Sequence, residues 1–82
     1  MFYYTYLLKS ITPGKKKTYV GYSTNVKKRL EKHNSNTGAK STKGYKWIIV
    51  YKKRFKSKSK AMKHEYELKK NRFLRKKILD IF

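Results

Sequence analysis

A tyrosine-rich segment, Phe2-Tyr3-Tyr4-Thr5-Tyr6-Leu7-Leu8, is followed shortly by Thr18-Tyr19-Val20-Gly21-Tyr22, and directly after it comes a stretch carrying Arg29 and His33. The first two segments read as strands and the third as a helix, so two tyrosines, an arginine and a histidine come together early in the chain. A guanidinium presents a planar fork that matches two phosphate oxygens. A phenol titrates near pH ~10 and acts on protons at neutral pH only beside cations, which this chain has in abundance. The combination suggests chemistry on a nucleic-acid backbone rather than mere adhesion to it.

Four acids stand against 24 Lys and Arg, so each acid invites an explanation. Glu31 falls on the outer side of its helix, within reach of Lys27 or Lys28. Glu67 sits among lysines, and Asp80 is close to the end of the sequence. Glu65 alone shares a helix line with the core candidates Ala61 and Leu68. A carboxylate on such a line is costly unless a cation or hydrogen bonds compensate it. Two readings stay open: an internal salt bridge to Arg29 or a lysine, or a Mg²⁺ ligand with waters and substrate phosphate completing the octahedron. Tyr6 and Tyr19 likewise read either as core packing or as participants in a site.

The elements that must position these groups follow from periodicity. A first strand from about Phe2 to Lys9 places Phe2, Tyr4, Tyr6 and Leu8 on one face and Tyr3, Thr5 and Leu7 on the other. Both faces are apolar or aromatic, so the strand belongs at the centre of its sheet. Thr12-Pro13-Gly14 signals a turn, and Thr18 to Tyr22 returns as a second strand across a loose basic loop. Ser23, Thr24 and Asn25 are N-cap candidates for a helix to about His33. On it Val26, Arg29, Leu30 and His33 recur at i, i+3, i+4, i+7 and form one half-polar face. Asn34 to Lys43 is a Ser, Asn, Thr, Gly and Lys loop that can wrap a backbone or serve as a mobile connector. Trp47 to Tyr51 is the strongest strand by propensity and predicts burial on both faces. Ser57 to Ser59 opens a helix to about Lys70, Asn71 interrupts it, and Arg72 to Phe82 forms a last helix with Phe73, Leu74, Ile78 and Ile81 as its stripe. The order β-β-α-β-α-α predicts an α+β fold: a small three-stranded, mainly antiparallel sheet packed by three to four helices.

The bulk properties narrow the function classes. A chain of 82 residues is one domain, and its aromatics can build a core from few side chains. With no cysteine, neither a disulfide framework nor a cysteine zinc site is available. No apolar run approaches the ~18 residues of a membrane span, and the start lacks the layout of a signal peptide. A cytoplasmic protein is the expectation. The net charge of +20 implies a polyanionic partner and strongly salt-dependent, largely sequence-blind binding. Nucleic acid is expected, DNA first. A membrane surface is not, since the helices lack a wide apolar face with Trp and Phe.

The order of residues resembles the GIY-YIG nuclease superfamily. Tyr4-Thr5-Tyr6 stands where that family has its first tripeptide, with Tyr and Thr in place of Gly and Ile, and Tyr19-Val20-Gly21 stands as the second. Asn25 to Asn34 resembles the arginine helix and the His-Asn that ends it in one branch. Gly38-Ala39-Lys40-Ser41-Thr42-Lys43-Gly44 resembles that branch's glycine-and-lysine loop, and Ala61 to Lys69 resembles the metal-glutamate helix. The branch is the small stand-alone bacterial type, similar to the catalytic domain of the eukaryotic structure-selective nuclease subunit. The resemblance implies an endonuclease that hydrolyses DNA phosphodiester bonds. Tyr6 or Tyr19 would orient or deprotonate the attacking water, with Tyr19 the stronger base. Arg29 would stabilise the scissile phosphate, and His33 would hydrogen-bond the phosphate, the water or a tyrosine. Glu65 would hold one Mg²⁺ or Mn²⁺. Lys9 would be one of the cations near the phenols, Gly21 would permit close approach, and Asn34 and Lys40 would help position substrate. A protein partner could supply specificity. The alternative is a non-catalytic DNA- or RNA-binding module that keeps the fold. All five site residues, Tyr6, Tyr19, Arg29, His33 and Glu65, are expected on one concave surface.

Overall fold

A computed structural model describes residues 1–38 and 40–81. Its elements are β1 (Tyr3–Ser10), β2 (Thr18–Ser23), α1 (Val26–Asn34), a single 3-10 turn (Lys40–Thr42), β3 (Trp47–Phe55), α2 (Lys58–Lys70) and α3 (Arg72–Ile81). The strands form one sheet in the order β2-β1-β3, antiparallel throughout. This is the expected α+β order, with β1 central as its two apolar faces require.

The two faces of β1 build two cores. Tyr6 and Leu8 pack with Val26, Leu30, Trp47 and Ile49 beneath α1. Leu7 packs with Val20, Val50, Leu68, Leu74, Ile78 and Leu79 beneath α2 and α3. The sheet thus lies between α1 on one side and the α2–α3 pair on the other. Among the described residues no helix is long and apolar enough to cross a membrane.

Local chemistry sets the boundaries. Asn25 Oδ1 accepts from the Lys28 amide at 3.1 Å and Ser57 Oγ from the Lys60 amide at 3.1 Å, so each occupies an orphan donor at its helix start. Asn71 serves two helices. Its amide donates to Glu67 O at 3.0 Å at the end of α2, and its Oδ1 accepts from the Leu74 amide at 2.9 Å at the start of α3.

Three expectations need correction. β3 runs on from Tyr51 to Phe55, because the full length of β1 offers backbone partners down to the Tyr3–Phe55 pair. Nor is β3 buried on both faces: as an edge strand it leaves Ile48 40% exposed. Its register slips between Leu7 and Leu8, where Tyr51 and Ile49 are the successive partners and Val50 is the extra residue of a bulge. In α3, Phe73 is 87% exposed and Leu79 takes its place in the core.

The loops are tethered. Lys15 and Lys17 of the hairpin turn lie over the Tyr45 ring at 5.3 and 5.0 Å. The Lys46 amide donates to Thr12 Oγ1 at 2.8 Å, and the Ile11 amide donates to Lys46 O at 2.9 Å. After α1, the amides of Thr37 and Gly38 both donate to Lys32 O at 3.0 Å.

Candidate active site

The antiparallel register puts Tyr6 opposite Gly21 and Leu8 opposite Tyr19. Directly paired residues share a face, so Tyr6 and Tyr19 both point toward α1. The α1 stripe of Val26, Arg29, Leu30 and His33 meets them there. Val26 and Leu30 supply the apolar contact, which leaves Arg29 and His33 facing the tyrosines.

His33 is fully buried, and both of its ring nitrogens are engaged. Nε2 lies 3.2 Å from the Tyr6 hydroxyl and Nδ1 lies 3.0 Å from Thr42 Oγ1. The Tyr19 ring stacks obliquely on the imidazole with centroids 4.7 Å apart. Burial first, and then the charge of Arg29, push the His33 pKa below its ordinary value. The imidazole is therefore neutral at pH 7.

Tyr6 is also fully buried, and burial raises its phenol pKa. The Arg29 guanidinium beside it opposes that rise, while Tyr19 and Glu65 reinforce it. The tyrosines in turn hold Arg29 above its ordinary pKa, through Tyr6 first, against desolvation. Arg29 Nε is buried, and among the described residues it has no hydrogen-bond partner.

Gly21 has a steric reason to be glycine. A Cβ built there would lie 2.5 Å from the Tyr6 hydroxyl, 2.7 Å from its Cζ and 3.1 Å from Tyr19 Cε1. Without that atom, the Tyr6 hydroxyl passes directly over the β2 backbone.

Glu65 comes from the other layer, on α2. It is close enough to act on the Tyr6 phenol, and its Oε1 accepts from Lys69 Nζ at 3.0 Å. Lys69 lines a shallow depression of about 360 Å³ with Thr18, Tyr19, Val20 and Arg75. The lysine salt bridge anticipated for Glu65 is thus present, one helical turn away rather than across the core, with Glu65 19% and Lys69 52% exposed. Among the described residues no group of three or more His, Asp or Glu could hold a metal. A lone half-buried carboxylate fits Mg²⁺ or Mn²⁺, which fill their shells with waters and substrate phosphate. It does not fit an all-protein cage of the zinc type.

The secondary candidates are dispersed. Lys9 pairs with Thr18 and so lies on the α2–α3 face, away from Tyr6. Asn34 has both ends of its amide engaged by Trp47, with Nδ2 donating to the carbonyl at 3.1 Å and Oδ1 accepting from the amide at 2.6 Å. Lys40 is exposed at the start of the 3-10 turn. Two further residues bear on His33. Thr42 is buried, orients Nδ1, and receives the Trp47 indole N–H on its carbonyl at 3.1 Å. Gly38 approaches so closely that a Cβ would lie 2.6 Å from Nδ1. Neither carries a sequence signal beyond its place in the glycine-and-lysine loop.

The two histidines, His33 buried and His64 half-buried, set a pH dependence. His33 and His64 both titrate below their ordinary 6.5, so the unfolded chain binds their protons first. Their contribution to stability is complete above pH 6.5 and is lost as pH falls through the lowered folded values. Melting temperature measured from pH 8 to pH 5 is expected to fall on the acid side of 6.5, and a His33→Gln, His64→Gln variant should flatten that fall.

Comparison with known proteins gives a consistent result. The GIY-YIG catalytic-domain model matches residues 2–77. A UPF0213 protein of Staphylococcus haemolyticus is 50% identical over 52 residues, covering 62% of this chain and 63% of that protein. Its counterpart in Staphylococcus saprophyticus is 46% identical over the same shares. These alignments therefore span less than two thirds of the relatives' length. The UPF0213 protein of Bacillus halodurans, solved by NMR, is 36% identical with a TM-score of 0.52, over 96% of this chain and 82% of that one.

Proposed function

Since the chain belongs to the GIY-YIG catalytic-domain family, we propose that it is a metal-dependent endonuclease hydrolysing DNA phosphodiester bonds as a single catalytic domain. The observation that carries this reading is the buried Tyr6–His33 pair with Arg29 and Tyr19 beside it. A fold kept only for adhesion needs surface lysines, not a neutral histidine tied to a phenol.

In this reading Tyr6 keeps its proton, because burial raises its pKa. Its hydroxyl donates to His33 Nε2, and His33 Nδ1–H donates to Thr42 Oγ1. That chain fixes the tautomer and locks Tyr6 in place. Tyr19 lies half-buried on an edge strand and is the group that meets water. As the general base beside Arg29, it takes a proton from the attacking water. The water oxygen bonds to phosphorus, the bond to the leaving oxygen breaks, and the leaving oxygen is protonated by solvent. Arg29 also holds the non-bridging oxygens with its guanidinium. Glu65 would hold one Mg²⁺ or Mn²⁺, which when bound neutralises charge on the leaving oxygen. Gly21 keeps the tyrosines close, Asn34 acts through the start of β3, and Lys40 and Lys9 contribute to the field that gathers the phosphate backbone.

Incubating purified protein with labelled single-stranded, duplex, flap and branched DNA, each with Mg²⁺, Mn²⁺ or EDTA, tests the reading. Cleavage of at least one form with metal and none with EDTA is expected. Tight binding of every form with no cleavage of any would overturn it in favour of a binding module.

Binding itself should be steep in salt. If the protein neutralises six to ten phosphates, affinity falls about 10³- to 10⁵-fold between 50 and 200 mM salt. Fluorescence anisotropy across that range measures the slope, and unrelated sequences should give nearly the same line.

A further inference from the structure

Phe73 was expected in the core and stands instead almost fully in solvent, 87% exposed at the start of α3. Tyr66, on the last turns of α2, is 59% exposed. The two rings border one depression of about 780 Å³, together with Lys70, Arg72 and one carboxylate, Glu67. Lys70 Nζ lies over the Tyr66 ring at 4.8 Å, which leaves Phe73 as the uncovered ring. A second depression of about 480 Å³ lies on the other side of Phe73, lined also by Arg72, Arg75, Lys76 and Leu79.

Arg75 connects this surface to the candidate active site. Its Nη1 donates to Leu68 O at 2.8 Å and to Lys69 O, which fixes the guanidinium at the C-terminal end of α2. The same residue lines the depression that holds Tyr19 and Lys69. Arg75 thus borders both the depression at Tyr19 and Lys69 and the one beside Phe73.

We propose that the Tyr66–Phe73 surface is a base-stacking subsite that holds unpaired nucleotides of the substrate strand leaving the active site by way of Arg75. Cations alone would suit any polyanion, but an exposed ring among them adds a partner for the flat face of a base. Paired bases inside a duplex offer no such face. A second copy of this chain would bring the same positive charge to the surface and repel. The inference rests on nucleic acid being the partner and not on cleavage.

The test measures binding in EDTA, where no strand is cut. The probes are a single-stranded oligonucleotide containing 2-aminopurine, the same sequence as a duplex, heparin, and phosphatidylglycerol vesicles. Stacking is worth about 1–3 kcal/mol per base, so Phe73→Ala should weaken single-strand binding about 5- to 150-fold. It should also abolish quenching of the 2-aminopurine, and leave duplex and heparin binding unchanged. Phe73→Trp should restore both readouts. A ring this exposed contributes little to folding, and an unchanged melting curve for Phe73→Ala checks that. Equal weakening on every probe, or no weakening on the single strand, overturns the subsite. Loss of vesicle binding with single-strand binding retained assigns the surface to lipid instead. Failure of the wild type to bind any nucleic acid overturns the subsite along with the proposed partner. Stacking here, together with no cleavage of any DNA form in Mg²⁺ or Mn²⁺, sinks the endonuclease reading alone.

Discussion

Glu65→Gln is expected to abolish cleavage while leaving the protein folded and able to bind DNA. The substitution keeps the side chain's size and removes the charge that would hold the divalent ion. Charge stabilisation of that kind amounts to several kcal/mol, so the rate should fall by about 10³-fold or more. The stability side is decided by geometry. The ion pair to Lys69 is an i, i+4 pair on one helix with half of Lys69 in solvent. Such pairs contribute only about 0.3–0.5 kcal/mol. A buried pair would behave differently, costing roughly 3–5 kcal/mol when one partner is removed. Melting temperature and single-turnover cleavage on the same preparation separate the cases. A large drop in melting temperature would make Glu65 a structural anchor. Unchanged cleavage would remove it from the chemistry.

Gly21→Ala should damage stability and cleavage together. The new methyl would lie 2.5 Å from the Tyr6 hydroxyl, and Tyr6 is held on its far side by His33. Either the β2 edge moves outward or the phenol swings off Nε2. Overpacking of this kind costs typically about 1–3 kcal/mol. A displacement on the order of 1 Å at a reacting group costs about 10²-fold in rate. Gly14→Ala is the comparison: it also removes a glycine, but no atom lies within 4 Å of its Cβ, and its φ of +74° makes the cost purely local. Gly14→Ala should therefore leave cleavage per folded molecule intact. Equal rates for the two variants would mean that Tyr6 needs no fixed position.

The sequence was most legible where both faces of an element carried a pattern. β1 is apolar on both sides, and that alone placed it between two strands and two cores. The caps at Asn25 and Ser57 and the break at Asn71 were readable because each side chain does one local job. β3 was under-read because Lys52, Lys53 and Arg54 look like loop residues. On an edge strand their backbone pairs with β1 while their cations lie in solvent over Tyr4, Phe55 and Phe2. Phe73 was misplaced because helical spacing defines a stripe but not the angle at which α3 leaves Asn71. For the site, strand parity and the Arg29–His33 spacing sufficed to put the tyrosines, arginine and histidine together. The spacing of Glu65 gave its helix line but not the layer from which it approaches. Thr42 had no periodic signal, since its contact with His33 depends on a loop folding back onto α1.

The placement of β2 at the sheet's edge has a consequence for the life of the chain before it folds. The segment Thr18–Ser23 is uncharged, proline-free and rich in strand formers, which is the composition of self-associating β segments. Edge strands elsewhere are commonly blunted by an inward lysine or a proline. Here Tyr19 and Gly21 occupy the positions where such a residue would go. Protection has moved outside the strand, to Lys15, Lys16 and Lys17 before it and Lys27 and Lys28 after it. These act as gatekeepers, repelling a second copy of the same segment while the sheet is still unpaired. Part of the lysine excess is thus a solubility device for a strand that cannot carry its own charge. Neutralising those five lysines would be paid for in inclusion bodies before any effect on DNA could be seen.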